Sequence, residues 1–270
     1  MKKKKNNRRQ PRKTFRLLVQ ISLGGLIFAA VYFLLGPDNI APKEDLPPPG
    51  RPVENSVELQ IALARFGFSP GSVDGNMGKQ TKQALAAFRK SRGLPDSGQA
   101  DPALDKWLRI EEPTHAYMEL TKASLRMLAP KPSSWRERGR LAHLGYHSIL
   151  EMVAEKSCAD PDYIRAINPE VDWSGLRAGD RVFVPLIPAY RIGEKIDHIQ
   201  IELGKRQLQA FSASNKLIFH SPVSIARDVA KRPVGKLEVK VRVDNPNYTF
   251  NPEILSAAAR RENITKKFII

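Results

Sequence analysis

One cysteine and five histidines are the side chains in these 270 residues best suited to covalent or metal chemistry. A nucleophilic thiol needs a base beside it and a depressed pKa. Cys158 has Lys156 nearby in sequence but no histidine or oxyanion-type glycine pair around it, so its pattern predicts a partly buried structural thiol. His115, His143, His147, His198 and His220 make no HExxH or comparable metal spacing. His143 and His147 are four apart, yet Gly145 between them disfavours the helix that would align them. No metal site and no cofactor is expected, and a lone cysteine excludes an internal disulfide. Noncovalent recognition remains, and its densest candidate is the run Ser72-Val73-Asp74-Gly75-Asn76-Met77-Gly78-Lys79-Gln80-Thr81.

Two helices must hold that run. Leu59, Leu63 and Phe66 repeat at helical spacing before it. Ala84, Leu85 and Phe88 do so after it, until Gly93 stops the second helix. Asp74-Gly75 and Gly78 turn the chain between them. Asp101-Pro102 predicts the start of a third short helix, ending at Leu108.

Asp74, Gly75, Gly78, Thr81, Ala84, Phe88, Gly93, Leu94 and Gly98 stand in the register of "DG.fG..T..A...FQ...GL...G". The stretch therefore resembles the peptidoglycan-binding domain of the three-helix type. Met77 replaces the usual aromatic and Arg89 the usual Gln, which puts the ligand contacts at Arg89 in question. The resemblance implies Asp74, Gly75, Thr81, Phe88 and Arg89 as peptidoglycan-binding residues.

Farther along, Ile149, Met152 and Val153 give a helix over 148–156, and Asp160-Pro161 opens a second helix ending at Asn168-Pro169. Leu176 to Asp180 turn the chain, and Arg181 to Pro185 alternate like a strand. Asn168, Pro169, Leu176, Gly179, Asp180, Val182, Val184 and Pro185 resemble the second half of a LysM domain, a βααβ module that binds N-acetylglucosamine-containing glycans. The resemblance implies Asn168, Gly179 and Asp180 as its site residues. Its first half departs from the pattern: Gly145-Tyr146-His147-Ser148-Ile149 stands where the family has "GD[ST]L", and the first strand is unclear. A degenerate LysM acting as a spacer is the alternative.

From Ile196 the pattern is strand-like. Ile199, Ile201 and Leu203 alternate, followed by Gln207 to Phe211, Lys216 to Phe219 and Lys236 to Val243, with turns at 203–206 and 212–215. An antiparallel meander with one face to be covered is expected. Gln207-Leu208, Pro222-Val223-Ser224, Pro233, Gly235, Asn245, Pro246 and Tyr248 resemble the opening of an L,D-transpeptidase catalytic domain, with Arg232 in place of the Thr before Pro233. That family attacks a stem-peptide carbonyl with a Cys thiolate activated by a His, in a later "HG...[ST]HGC.R" constellation. No Ser-His-Gly-Cys occurs in this sequence. The apolar meander and the apolar last residues lead us to expect a chain that stops before its catalytic half, inactive as a transpeptidase.

Charge completes the layout. Residues 1–16 hold nine of the 44 Lys and Arg and no acid, so the remainder carries 35 basic against 28 acidic groups, +7 of the total +16. Leu17 to Leu35 are nineteen uncharged residues, long enough to span a bilayer. The basic side predicts a cytoplasmic N-terminus. A cleaved signal peptide competes, although the apolar run exceeds a usual signal core. Six prolines between Gly36 and Pro52 make an extended spacer. The basic excess argues for membrane orientation, and no aromatic-basic interleaving points to nucleic acid.

The expected architecture is α+β and multidomain. A basic tail (1–16), a transmembrane helix (17–35) and a Pro-rich linker (36–52) precede a peptidoglycan-binding domain (53–109). A LysM-like module (110–187) and the first part of a transpeptidase domain (188–270) follow. The expected partners are peptidoglycan, through its glycan strands and stem peptides, and the membrane, with no nucleic acid. The expected setting is the bacterial inner membrane, single-pass, with the bulk of the chain in the periplasm or cell-wall space. A non-catalytic envelope tether is the rival to the transpeptidase reading.

Overall fold

A computed structural model describes residues 50–141, 144–244 and 248–270. The basic tail, the apolar segment Leu17 to Leu35, the linker up to Pro49, His143, Asn245 and Pro246 lie outside them. Among the described residues no helix is long and apolar enough to cross a membrane. The fold is mixed α/β, and residues 50–225 and 226–269 form two compact units.

The first unit begins with strand β1 (Arg51–Pro52), which pairs antiparallel with β2 (Arg109–Ile110) and so closes the segment between them. Helix α1 (Ser56–Arg65) starts at Asn55, whose side chain accepts the Glu58 N–H. Helix α2 (Lys79–Ser91) ends just before Gly93. Leu59, Ile61, Leu63, Leu85 and Phe88 are buried between the two, and Phe66 and Phe68 meet Phe88 edge-on at 5.7 and 5.3 Å. The expected third helix is only a 3-10 turn, Pro102–Leu104, capped by Asp101. It still buries Leu104 and Leu108.

Strand β3 (His115–Glu119) pairs antiparallel with β4 (Arg181–Pro185), His115 opposite Pro185 and Glu119 opposite Arg181. Between them come α3 (Lys122–Leu125), α4 (Trp135–Arg138), α5 (Ile149–Lys156) and α6 (Pro161–Ala166). The strand that pairs with Arg181–Pro185 is thus His115–Glu119, well upstream of Gly145, and residues 120–148 separate it from α5. Val73 bridges this part directly: its N–H donates to the Cys158 carbonyl and its carbonyl accepts the Asp160 N–H, at 2.8 and 2.9 Å. Buried side chains from α1, α2, α5, α6 and β4 form one continuous apolar cluster. Cys158 sits in the left-handed region at φ +54; the residue as a whole is exposed, while burial around its thiol pushes that group's pKa up.

Strands β5 (His198–Glu202), β6 (Gln207–Phe211) and β7 (Leu217–Pro222) make a three-stranded antiparallel meander in that order. Phe211 and Leu217 join the main core, while Leu208, Ala210, Ile218 and Phe219 make a smaller one with Ile192 and Val223. Helix α2 packs against β7. The outer edge of β7 is not open as expected, because the Ser69 N–H donates to the His220 carbonyl and the His220 N–H to the Gly67 carbonyl. Ile199 and Ile201 on β5 do stay exposed.

In the second unit a 3-10 turn (Val229–Lys231) is wrapped by Arg232, which donates to the carbonyls of Ala226 and Arg227. Short strands β8 (Thr249–Phe250) and β9 (Phe268–Ile269) pair antiparallel around α7 (Ser256–Arg261), burying Phe250, Ala259 and Ile264. The expected strand Lys236 to Val243 is not formed. Its alternation is real, but without a ladder partner Leu237, Val239 and Val243 remain exposed.

Candidate functional site

Gln60 is the centre of the turn that the sequence singled out. Its Nε2 donates to the Asp74 carboxylate at 2.7 Å, to the Asn76 carbonyl at 3.1 Å and to Thr81 Oγ1 at 3.0 Å. Its Oε1 accepts the Asp74 and Gly75 N–H groups at 3.1 and 2.8 Å. Gly75 needs φ +77, and a side chain there would press on Val57. Burial alone would raise the Asp74 carboxyl, but hydrogen bonds from Gln60 and the Asn76 N–H outweigh it and hold the group below the usual carboxylate range. Gln60 is 1% exposed and was not singled out from the sequence. The signal was present, since a lone amide inside Leu59 to Leu63 must find buried partners.

Thr81, Phe88 and Arg89 are 2%, 0% and 2% exposed. In this structure their side chains are buried and build the frame of the turn. Thr81 donates to the Asn76 carbonyl. Arg89 donates to Asp101 at 2.9 Å and to the Pro95 carbonyl, fixing the 95–101 loop. The Arg89 guanidinium, with the Ser97 hydroxyl, holds the Asp101 carboxyl below its ordinary pKa.

Those two braces place the walls of a groove of about 510 Å³. Val53, Met77 and Ala100 supply apolar surface, while Glu54, Asn55, Ser56, Lys82 and Gln99 supply polar groups of both signs. Such a mixture suits an amphipathic ligand with apolar C–H faces, amides and carboxylates. None of Asp74, Gly75, Thr81, Phe88 and Arg89 lines it. The sequence thus located the scaffold of the site, and the wall residues carry no distinguishing spacing of their own.

Asn168, Gly179 and Asp180 are likewise structural. Asn168 is buried; its amide donates to the Ile164 and Phe183 carbonyls and accepts the Phe183 N–H, each at 2.8 Å, fastening α6 to β4. Gly179, at φ +100, donates its N–H to the Leu120 carbonyl. The Asp180 carboxylate accepts the Arg177 N–H at 2.6 Å. Together they tie the turn before β4 to the end of β3.

A second unforeseen residue, Arg65, spans two parts of the unit. Its guanidinium donates to the carbonyls of Glu111, Pro113 and Leu186 at 2.7 to 3.0 Å. Among the described residues no group of three or more His, Cys, Asp or Glu side chains is placed to hold a metal ion.

Comparison with known proteins agrees with the reading of the turn. Residues 53–108 match the family model of a peptidoglycan binding domain, as the spacing from Asp74 to Gly98 implied. No curated protein matches the chain.

Proposed function

We propose that this chain is a membrane-anchored, peptidoglycan-binding protein of the L,D-transpeptidase family that serves peptidoglycan cross-linking in the bacterial cell wall. A peptidoglycan-binding domain at 53–108 gives it a peptidoglycan-associated role. The observation that carries the proposal is the groove in that same segment, with Val53 and Met77 on its walls and Lys82 and Gln99 at its polar positions. Support for a LysM-like module comes from the order β3, α5, α6, β4 and from the Asn168 fastening. Support for the transpeptidase relationship comes from Gln207-Leu208 and Pro222-Val223-Ser224 falling on β6 and at the end of β7. The anchor rests on Leu17 to Leu35 and the basic residues before it.

Cosedimentation of the full chain with purified sacculi tests the binding. Wild-type protein is retained, and Lys82→Glu, an exposed position on the groove wall, weakens retention without lowering thermal stability. Wild-type protein left in the supernatant refutes the proposal.

A non-catalytic envelope tether is the second reading, and a Ser-His-Gly-Cys motif is the feature that separates it from the enzyme. Among the described residues no histidine hydrogen-bonds to Cys158. The intact mass and C-terminal peptide of the protein from its native cells separate the two: a C-terminal peptide carrying Ser-His-Gly-Cys supports the enzyme, and a mass ending at Ile270 with sacculus binding intact supports the tether.

A further inference from the structure

Peptidoglycan offers two chemically different parts, an amino-sugar strand and a peptide stem, and the groove in the 53–108 segment is not equally suited to both. The C–H side of a pyranose is broad and flat, and the surface that meets it best is an aromatic face, negative at its centre. Among the described residues that line the groove none carries a ring. Its apolar surface comes from Val53, Met77 and Ala100, whose narrow side chains fit methyl groups and methylene chains instead.

Charge separates the two parts further. Other cations of this segment are matched: Arg51 meets Glu58 and Glu112 at 2.7 and 2.8 Å, and Arg89 meets Asp101 at 2.9 Å. Lys82, on α2 at the groove, is exposed, and among the described residues no carboxylate pairs with its ammonium. An exposed lysine on a helix is ordinary by itself. Here, however, the wall formed by Gly98, Gln99 and Ala100 belongs to a loop braced from inside by the buried Arg89, with the Ser97 hydroxyl on the same Asp101 carboxylate at 2.8 Å. A buried guanidinium committed to an exposed loop preorganises a surface. The groove also holds Glu54, whose contact with Arg51 at 3.4 Å is the longest of that guanidinium's three ion pairs. An ammonium and a carboxylate beside aliphatic walls complement a ligand carrying both charges. In peptidoglycan the lactyl carboxyl of the sugar strand is consumed in the amide to the stem, so the free carboxylates, and the ammonium of the diamino acid, lie on the stems.

We propose that this groove takes the peptide stem of peptidoglycan and not its glycan strand, with Lys82 pairing a stem carboxylate, Glu54 the ammonium of the diamino acid, and Val53 and Met77 against its aliphatic chain. This rests on the peptidoglycan reading of the 53–108 segment and narrows it to one part of the polymer.

The test titrates the full chain calorimetrically with two soluble probes, the stem tetrapeptide L-Ala-γ-D-Glu-meso-diaminopimelate-D-Ala and the same peptide with its carboxylates converted to amides. Sacculus cosedimentation is run beside them. Lys82→Gln weakens tetrapeptide binding about tenfold, whereas Lys82→Arg, which keeps the charge, stays within about threefold of wild type. The amidated peptide binds wild type about tenfold more weakly than the free one and loses nothing further in Lys82→Gln, because the pair is already broken. Equal melting temperatures of the three proteins establish that the fold is intact, as the exposure of Lys82 leads one to expect. Tetrapeptide binding that is absent in wild type, or unchanged in Lys82→Gln, overturns the proposal. An equal loss in Lys82→Gln on both peptides also overturns it, since the lysine then does not act through a carboxylate. In each of these cases wild-type retention on sacculi leaves the peptidoglycan reading standing. Failure of wild type to sediment with sacculi, with the tetrapeptide results as expected, overturns the peptidoglycan reading and keeps the groove's choice of peptide.

Discussion

His220 gives the structure a built-in acid sensitivity. It is 1% exposed on β7, its Nδ1 has no hydrogen-bond partner, and burial pushes its pKa down to about 4 from 6.5. Because the folded value is the lower one, the fold favours the neutral ring. That stability is fully present above pH 6.5, falls as the unfolded chain takes up the proton first, and levels off below about pH 4. The full shift corresponds to about 3 kcal/mol, and the part lost between pH 7.5 and 5 to about 2 kcal/mol. For a unit of this size that is a fall in Tm of about 4–8 °C. Replacing the ring by His220→Leu removes the titration while leaving the main-chain bonds to Gly67 and Ser69 available. The assay is the melting temperature of both proteins at pH 7.5 and pH 5. His115, also lowered by burial, and the carboxylates contribute equally to both, so the difference between the two falls isolates His220. A wild-type fall no larger than that of His220→Leu refutes the reasoning, whatever the variant's absolute stability.

Gln60→Leu removes five hydrogen bonds and leaves buried partners at Asp74 and Gly75 unpaired; a cost of about 2–4 kcal/mol in urea unfolding is expected, with weakened sacculus retention. A cost under about 1 kcal/mol contradicts the role given to Gln60. Arg89→Met removes the brace on Asp101 and the Pro95 carbonyl and frees the 95–101 loop, so the variant is less stable than wild type in the same measurement. Because Arg89 holds Asp101 ionised, the wild-type advantage over this variant is present above the ordinary carboxylate range and shrinks as pH falls through the lowered Asp101 pKa. Within the described residues, trypsin cuts first at Lys236, Lys240 or Arg242, where the chain is extended without a ladder; earlier cleavage in α1 or α2 contradicts that description.

What the sequence revealed was local. The spacing around Asp74, Gly78 and Thr81 is set by one turn, and Ser148 and Asp160 cap their helices within a few residues, so each left a short-range trace. Arg181–Pro185 was also legible, because Val182 and Val184 alternate with exposed residues. Its partner His115–Glu119 was not, since pairing across more than sixty residues is decided by tertiary contacts that no short window contains. The same holds for Gln60 and Arg65, whose partners are 14 to 21 and 46 to 121 residues away. Lys236 to Val243 shows the converse: alternation records what a strand would need, while a ladder requires a free edge to join. As for the groove, Asp74, Thr81, Phe88 and Arg89 are recognisable because they are the frame, which tolerates few substitutes, whereas Gln99 and Lys82 meet only solvent or ligand.

The position of Arg65 bears on how the chain carries force. Its guanidinium holds Glu111 and Pro113, where the chain runs into the β3–β4 part, and Leu186, where it runs out; the Leu186 N–H also donates to the Thr114 carbonyl at 2.9 Å. Both ends of an excursion of some seventy residues are thus knotted at one side chain on α1. Arg65, together with the Gly67 and Ser69 bonds to His220, fastens the chain on both sides of the excursion to the helical segment. Tension between the groove segment and the β5–β7 meander passes over those ties and leaves the ladder between β3 and β4 unloaded until they give way.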